Sequence, residues 1–333
     1  MPNKQSDRQA RAMQRQILDT FFKGRAVNSY KPFTKPQRCT LENGTEYVGD
    51  VCYGKKYPNS YADIWYSPEN QKRRCPTYVY VHGGGFLFGD KVTGDPLSAE
   101  NKLDMAYYKD LTARGFNIVS ANYCFAPKYR APAQFIQLDG LLAFLRENAE
   151  ELSLDMENIV IGGPSAGANF AAIYGLILCD ADYAKRVGVS PSIPRECVRA
   201  LVIDEAALDV QTLAHNVGLK SMGEAWLGVV DLAASEKMRL YDVGRHIRSA
   251  YIPAFVNASN EEEVFKGTQD SICAAMERAG VEFVRCYRSK EEAGVLGHGF
   301  MCGFEQNAYA RECYEKMCAF IIRKTGIHKE ENK

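Results

Sequence analysis

The sequence predicts an α/β protein built on a mostly parallel sheet, and three observations carry that reading. Short apolar runs of strand length recur along the chain, and most are followed by a longer segment with helical periodicity. Strands separated by helices of about ten residues or more need crossover connections, which makes neighbouring strands parallel. The 333 residues, 46% hydrophobic and 25% charged, suffice for a large globular core.

The elements follow in order. "MPNKQSDRQARAMQRQILDTFF" sets Ala10, Met13, Ile17 and Phe21 at helical spacing on one apolar face. It lacks the apolar core and cleavage site of a signal peptide, and Asp7 and Asp19 count against a transit peptide. "EYVGDVCYG" and "YADIWYS" alternate apolar and polar residues and read as two strands. "CPTYVYV" reads as a buried strand that runs into "HGGGFLFGD", residues His82 to Asp90. "LDMAYYKDLTARG" reads as a helix closed by Gly115. "FNIVSANYCFAP" is a strand, and "APAQFIQLDGLLAFLRENAEEL" is a helix with an apolar stripe through Phe135, Leu138, Leu141, Leu142 and Leu145. "NIVIGG" is a short strand followed by the apolar helix "AGANFAAIYGLIL". "RALVIDEA", "IPAFVNAS" and "VEFVRCY" read as strands, "DSICAAMERAG" and "YARECYEKMCAFIIRKTG" as helices.

A helical stretch between the strands near 203 and 254 is too long for a simple connection and reads as an inserted cap. The expected organisation is one domain, with cap elements at 1–45 and about 205–245 and a core of 46–204 and 246–326.

Composition removes several functions. Lys+Arg and Asp+Glu both total 41, leaving no net field to gather nucleic acid or an anionic membrane. No stretch reaches the apolar length of a membrane span. The 11 cysteines are scattered, odd in number and without a CxxC pair, which fits reduced thiols in the cytoplasm better than a disulfide framework or a zinc ribbon.

Two motifs carry chemistry. Gly163-Pro164-Ser165-Ala166-Gly167 is a GxSxG element between a strand and a helix, where a serine on a strained turn exposes its hydroxyl at the sheet edge. "HGGG" lies at the end of a strand, where bare backbone can turn N–H groups toward a cavity. In acyl transfer one such donor aimed at the oxyanion contributes about 3 kcal/mol. His82 reads as a structural residue that orients this loop.

With "HGGGF", "GPSAGAN", "NYCFAPKYRAPAQFIQLD" and "GHGF" in order across most of residues 50–325, the chain resembles the hormone-sensitive-lipase-like esterases of the α/β-hydrolase fold. The resemblance implies a central sheet with a helical cap and puts Asp139 at the family's acidic position. It implies oxyanion donors at the N–H groups of Gly84, Gly85 and Ala166. Hydrolases of this fold order their triad serine, acid, histidine. Of the five histidines, His298 in "GVLGHGFMC" has that order and matches the family's H-G-F. Counting from Pro253 on the family's spacing lands the acid on Glu262, with Glu261 the alternative, Glu263 one residue away and Asp270 further off. Glutamate there and Pro164 before the serine both depart from the family pattern.

The expected activity is a serine carboxylesterase on small to medium acyl esters, acetyl esters among them, with neither cofactor nor metal. Phe86, Phe88 and Trp226 are candidate pocket walls. An arylformamidase-type amide hydrolase shares the triad, and a non-catalytic ligand-binding member of the fold is the rival reading. The expected partner is a small ester, with no nucleic acid or membrane, and relatives of this kind are often dimers, which suggests a homodimer.

Overall fold

In a computed structural model of the protein, the described residues are 37–92, 105–213 and 215–327, with Arg8, Ala12, Gln16 and Asp19 near the N-terminus. The expected apolar face of Ala10, Met13, Ile17 and Phe21 lies outside them, as does His328.

Nine strands among the described residues form one sheet in the order β1-β2-β3-β5-β4-β6-β7-β8-β9. They are β1 (Gln37–Thr40), β2 (Glu46–Cys52), β3 (Tyr61–Tyr66), β4 (Pro76–Val81), β5 (Asn117–Ala121), β6 (Asp155–Pro164), β7 (Val198–Asp204), β8 (Ala254–Asn257) and β9 (Phe283–Cys286). The first three pair antiparallel, as do β3 and β5, and the remaining pairs are parallel. This is the α/β-hydrolase fold. The inner parallel strands are buried along nearly their whole length. They read as continuous apolar runs because helices cover both faces of the sheet.

On one face lie α2 (Ala133–Glu147), α3 (Ala166–Cys179), α4 (Ala181–Val187) and α8 (Glu263–Arg278), packed through Phe135, Phe170, Ile173, Tyr183 and Phe265. On the other lie α1 (Ala106–Ala113) and α10 (Ala308–Thr325), packed through Tyr107, Leu111, Met317 and Ile321. The connection from β7 to β8 carries α5 (Val210–Leu213), α6 (Val217–Leu227) and α7 (Glu236–Tyr241), and α9 (Lys290–Ala293) follows β9. Gly115 follows α1 at φ +94°, a backbone region that glycine enters without strain.

One boundary differs from expectation. Gln37–Thr40, assigned from sequence to a cap element, pairs with β2 as an edge strand of the sheet. Four residues reading "QRCT" are too short and too polar for periodicity to reveal.

Candidate active site

The chain passes from β6 into α3 through a single residue, Ser165, at φ 57° and ψ −115°. Holding a non-glycine residue there costs about 1–3 kcal/mol, so its surroundings must enforce it. The enforcement is close packing: a Cβ on Gly163 or on Gly167 would lie 1.9 Å from the Val81 carbonyl oxygen. The Ser165 N–H donates to the Asp204 carbonyl at 2.8 Å, which ties the turn to the end of β7.

The glycine loop lies against this elbow, since a Cβ on Gly83 would sit 3.4 Å from Ser165 Cβ. Gly84, Gly85 and Phe86 follow one another at φ +101°, +59° and +65°. A Cβ on Gly84 would fall 2.1 Å from the Phe88 carbonyl oxygen, so this turn admits only glycine. His82 is fully buried and stacks on Tyr123 with ring centroids 4.3 Å apart. Burial lowers it to about 4, so it is a neutral strut at ordinary pH. The Tyr123 hydroxyl makes contacts of 3.1 and 3.0 Å with the His82 and Gly83 carbonyls. Ala166 is the first residue of α3, so its N–H has no acceptor within the helix.

Gly85, Phe86, Ser165, Ala166, Met222 and Trp226 line one pocket, together with Asn169 and apolar residues of the β7–β8 connection. It leaves about 30 Å³ for the centre of a water-sized body. Phe86 and Trp226 stack at 4.2 Å and 12°. One expectation differs here: Phe88 is buried in the core rather than in the pocket wall, while Gly85 and Ala166 line the pocket.

His298 stands on the loop between α9 and α10, stacked face to face on Phe265 at 4.4 Å and 5°. Its Nδ1 pairs with the Glu205 carboxylate. Glu205 is fully buried, immediately follows β7, and sits at φ 62°. The same Glu205 Oε2 accepts the Gly299 N–H at 2.8 Å. Burial pulls the His298 pKa down, but hydrogen bonding and charge from Glu205, then the charges of Asp204 and Glu262, raise it above its ordinary value overall. Asp204, also buried, accepts Asn257 Nδ2 at 2.6 Å, and burial followed by the Glu205 charge pushes it well above the carboxylate range. Ser165 and His298 are therefore gathered around one dipeptide: Asp204 takes the serine's N–H and Glu205 takes the imidazole.

The expected acid is not the one on the imidazole. Glu262 is the N-cap residue of α8, and its carboxylate accepts Asn216 Nδ2 from the N-cap of α6. Glu261 Oε2 accepts the backbone N–H of His298 at 3.2 Å and not the ring. Glu263 and Asp270 lie within α8, and Asp270 is engaged by Lys266 and Arg285. The start of α8 turns these carboxylates toward the surface and the β7–β8 connection, whereas the left-handed backbone at Glu205 turns its side chain to His298. The available signal was "VIDEA", a strand ending in two adjacent acids. Asp139 accepts the Tyr174 hydroxyl and the Ser192 N–H, each at 2.7 Å, and serves packing.

The family model BD-FAE matches residues 63–275. The chain belongs to the BD-FAE family. Among curated relatives of this BD-FAE protein, Esterase LipC of Mycobacterium tuberculosis is 26% identical over 47% of this chain and 37% of its own length. Carboxylesterase NlhH of the same species is 30% identical over 38% and 35%. The acetyl esterase of Salmonella paratyphi B is 30% identical over 37% and 36%. The matches thus span about a third of those relatives' length. Among solved structures, Esterase B from Lactobacillus rhamnosis superposes with a TM-score of 0.71 at 14% identity, covering 96% of each chain. The Pyrobaculum calidifontis esterase gives 0.59 at 18% identity over 95% and 92%. At such identities these two report the fold. Among the described residues, no helix is long and apolar enough to cross a membrane.

Proposed function

We propose that this BD-FAE protein is a serine carboxylesterase for small to medium acyl esters, working through Ser165, His298 and Glu205. The observation that carries the reading is the His298–Glu205 pair, whose glutamate directly follows the Asp204 that accepts the N–H of a serine held at φ 57° on a strand-to-helix turn. The esterase names of the relatives and the motifs shared with hormone-sensitive-lipase-like enzymes support the same class.

In this mechanism His298 Nε2 removes the proton as Ser165 Oγ attacks the ester carbonyl. Glu205 holds the proton on Nδ1, which leaves Nε2 free to act, and stabilises the imidazolium once it forms. The Gly84, Gly85 and Ala166 N–H groups receive the oxyanion. Collapse expels the alcohol, which takes its proton from His298. Water then repeats the sequence on the acyl-enzyme. The β7–β8 connection acts as the cap over the acyl group. All eleven cysteines are unpaired, which supports a reducing cytoplasm as the site of action.

The test is a panel of p-nitrophenyl esters from acetate to decanoate, with N-formyl aryl amides beside them, for wild type and Ser165→Ala. Ester turnover that falls at least about 10⁴-fold in the variant is expected. Equal turnover in both proteins removes Ser165 from its role. Turnover of the formyl amides alone moves the assignment to an arylformamidase. No turnover and no fluorophosphonate labelling of wild type leaves a binding protein.

A further inference from the structure

The glycine loop is fastened at its far end by a buried charge cluster that the chemistry above does not use. Lys91, which follows Asp90 of the loop, puts its ammonium 3.1 Å from Asp50 Oδ1 and 3.2 Å from Asp63 Oδ2. The three side chains are 4%, 1% and 0% exposed. The main chain of Lys91 is held as firmly. Its N–H donates to Asn122 Oδ1 at 2.6 Å, and its carbonyl accepts the hydroxyls of Tyr108, at 2.9 Å, and Ser120. Residues from β2, β3, α1, β5 and the segment after β5 thus meet at one lysine.

The β2 side of this grip is strained. The register slips between Val48 and Val51, and Asp50 within that bulge adopts φ 58°. Its N–H donates to Asp63 Oδ1 at 2.8 Å, which locks the two acids together. A bulge re-aims a side chain, and a non-glycine residue in the left-handed region persists only where its surroundings over-determine it. Here the outcome is an aspartate turned inward onto Lys91.

Stability alone is a poor account of the cluster. Buried ion pairs are often no better than apolar packing of the same shape, because desolvation offsets the attraction. This cluster also holds two carboxylates to one ammonium, and burial pushes Asp63 up to about 6. What it supplies is a fixed position. Between Val81 and Lys91 the chain must hold Gly84, Gly85 and Phe86 at consecutive positive φ values, with the Tyr123 hydroxyl on the His82 and Gly83 carbonyls at its start and the Ala126 N–H donating to the Phe86 carbonyl at 2.9 Å further on. An oxyanion donor acts only when its N–H already points at the site of developing charge. We propose that Lys91, gripped by Asp50 and Asp63, is a positioning residue that sets the path of the glycine loop and so the aim of its oxyanion donors. The catalytic consequence rests on the esterase reading above; the control of the loop's path does not.

The experiment compares wild type, Lys91→Met, and a triple variant carrying Lys91→Met, Asp50→Asn and Asp63→Asn, which removes the three charges of the cluster together. Hydrogen exchange of the peptide covering residues 82–91 and steady-state kinetics on p-nitrophenyl acetate are read together. Both variants are expected to exchange that peptide at least about tenfold faster and to lose about tenfold in kcat, with KM within about twofold. A folded triple variant with wild-type exchange and wild-type kcat overturns the proposal. If the triple variant does not fold, Asp63→Asn alone must move both readouts in the same directions, and unchanged exchange there overturns it equally. Exchange needs no turnover, so an inactive wild type with the expected exchange pattern removes the esterase reading and leaves the positioning role standing.

Discussion

Glu205 and Glu262 separate two roles that one residue type can fill. Glu205 sits buried on the imidazole, and Glu262 stands at the N-cap position of α8 with its carboxylate on Asn216. Glu205→Gln should lower kcat about 10⁴-fold, because the wrong tautomer of His298 becomes accessible, while Glu262→Gln should stay within about threefold. The pH profile gives an independent check. Glu205 helps to raise the His298 pKa, and a protonated imidazole cannot act as base. The acid limb of kcat/KM should therefore lie above the ordinary histidine range in wild type and move to lower pH in Glu205→Gln. The stability linkage has the same origin. A folded-state pKa raised above the unfolded one contributes stability below the unfolded value, and this is lost as pH rises through the folded value.

Among elements, the strand-turn-helix unit of β6 and α3 depends on absent side chains. Gly167 opens α3 against β4, and a methyl group there meets the Val81 carbonyl oxygen at 1.9 Å. Gly167→Ala should cost about 3 kcal/mol or more in urea unfolding, since rigid backbone must move. Gly140 is the contrast: it lies exposed within α2, and a Cβ added there meets nothing within 4 Å. Gly140→Ala should raise stability by about 1 kcal/mol through helix propensity. Elements of this kind were largely legible in the sequence. "TYVYV", "FNIVSA" and "NIVIGG" are buried on both faces and so appear as apolar runs. "QRCT" went unseen because an edge strand is recognised by its partner rather than by its own pattern.

For the whole molecule, balanced charge removes long-range steering as a contributor to rate. With 41 basic and 41 acidic side chains, kcat/KM for a neutral ester should change by less than about twofold between about 0.02 and 0.5 M salt. A steep fall with salt would show that a local field gathers the substrate. The fold at this scale gathers distant segments at one end of the sheet: the elbow after β6, Glu205 after β7 and His298 after β9.

The sequence by itself determined the α/β class, most strands and helices, the serine turn and the glycine loop. These are written in local periodicity and in glycines that short-range geometry demands. Only the tertiary structure decided which carboxylate meets His298, which aromatic residues line the pocket, and what Lys91 grips. Each of those depends on where a side chain points after strands far apart in sequence have paired. A left-handed backbone angle at one residue, Glu205 or Asp50, redirects a charge in a way that no spacing along the chain encodes.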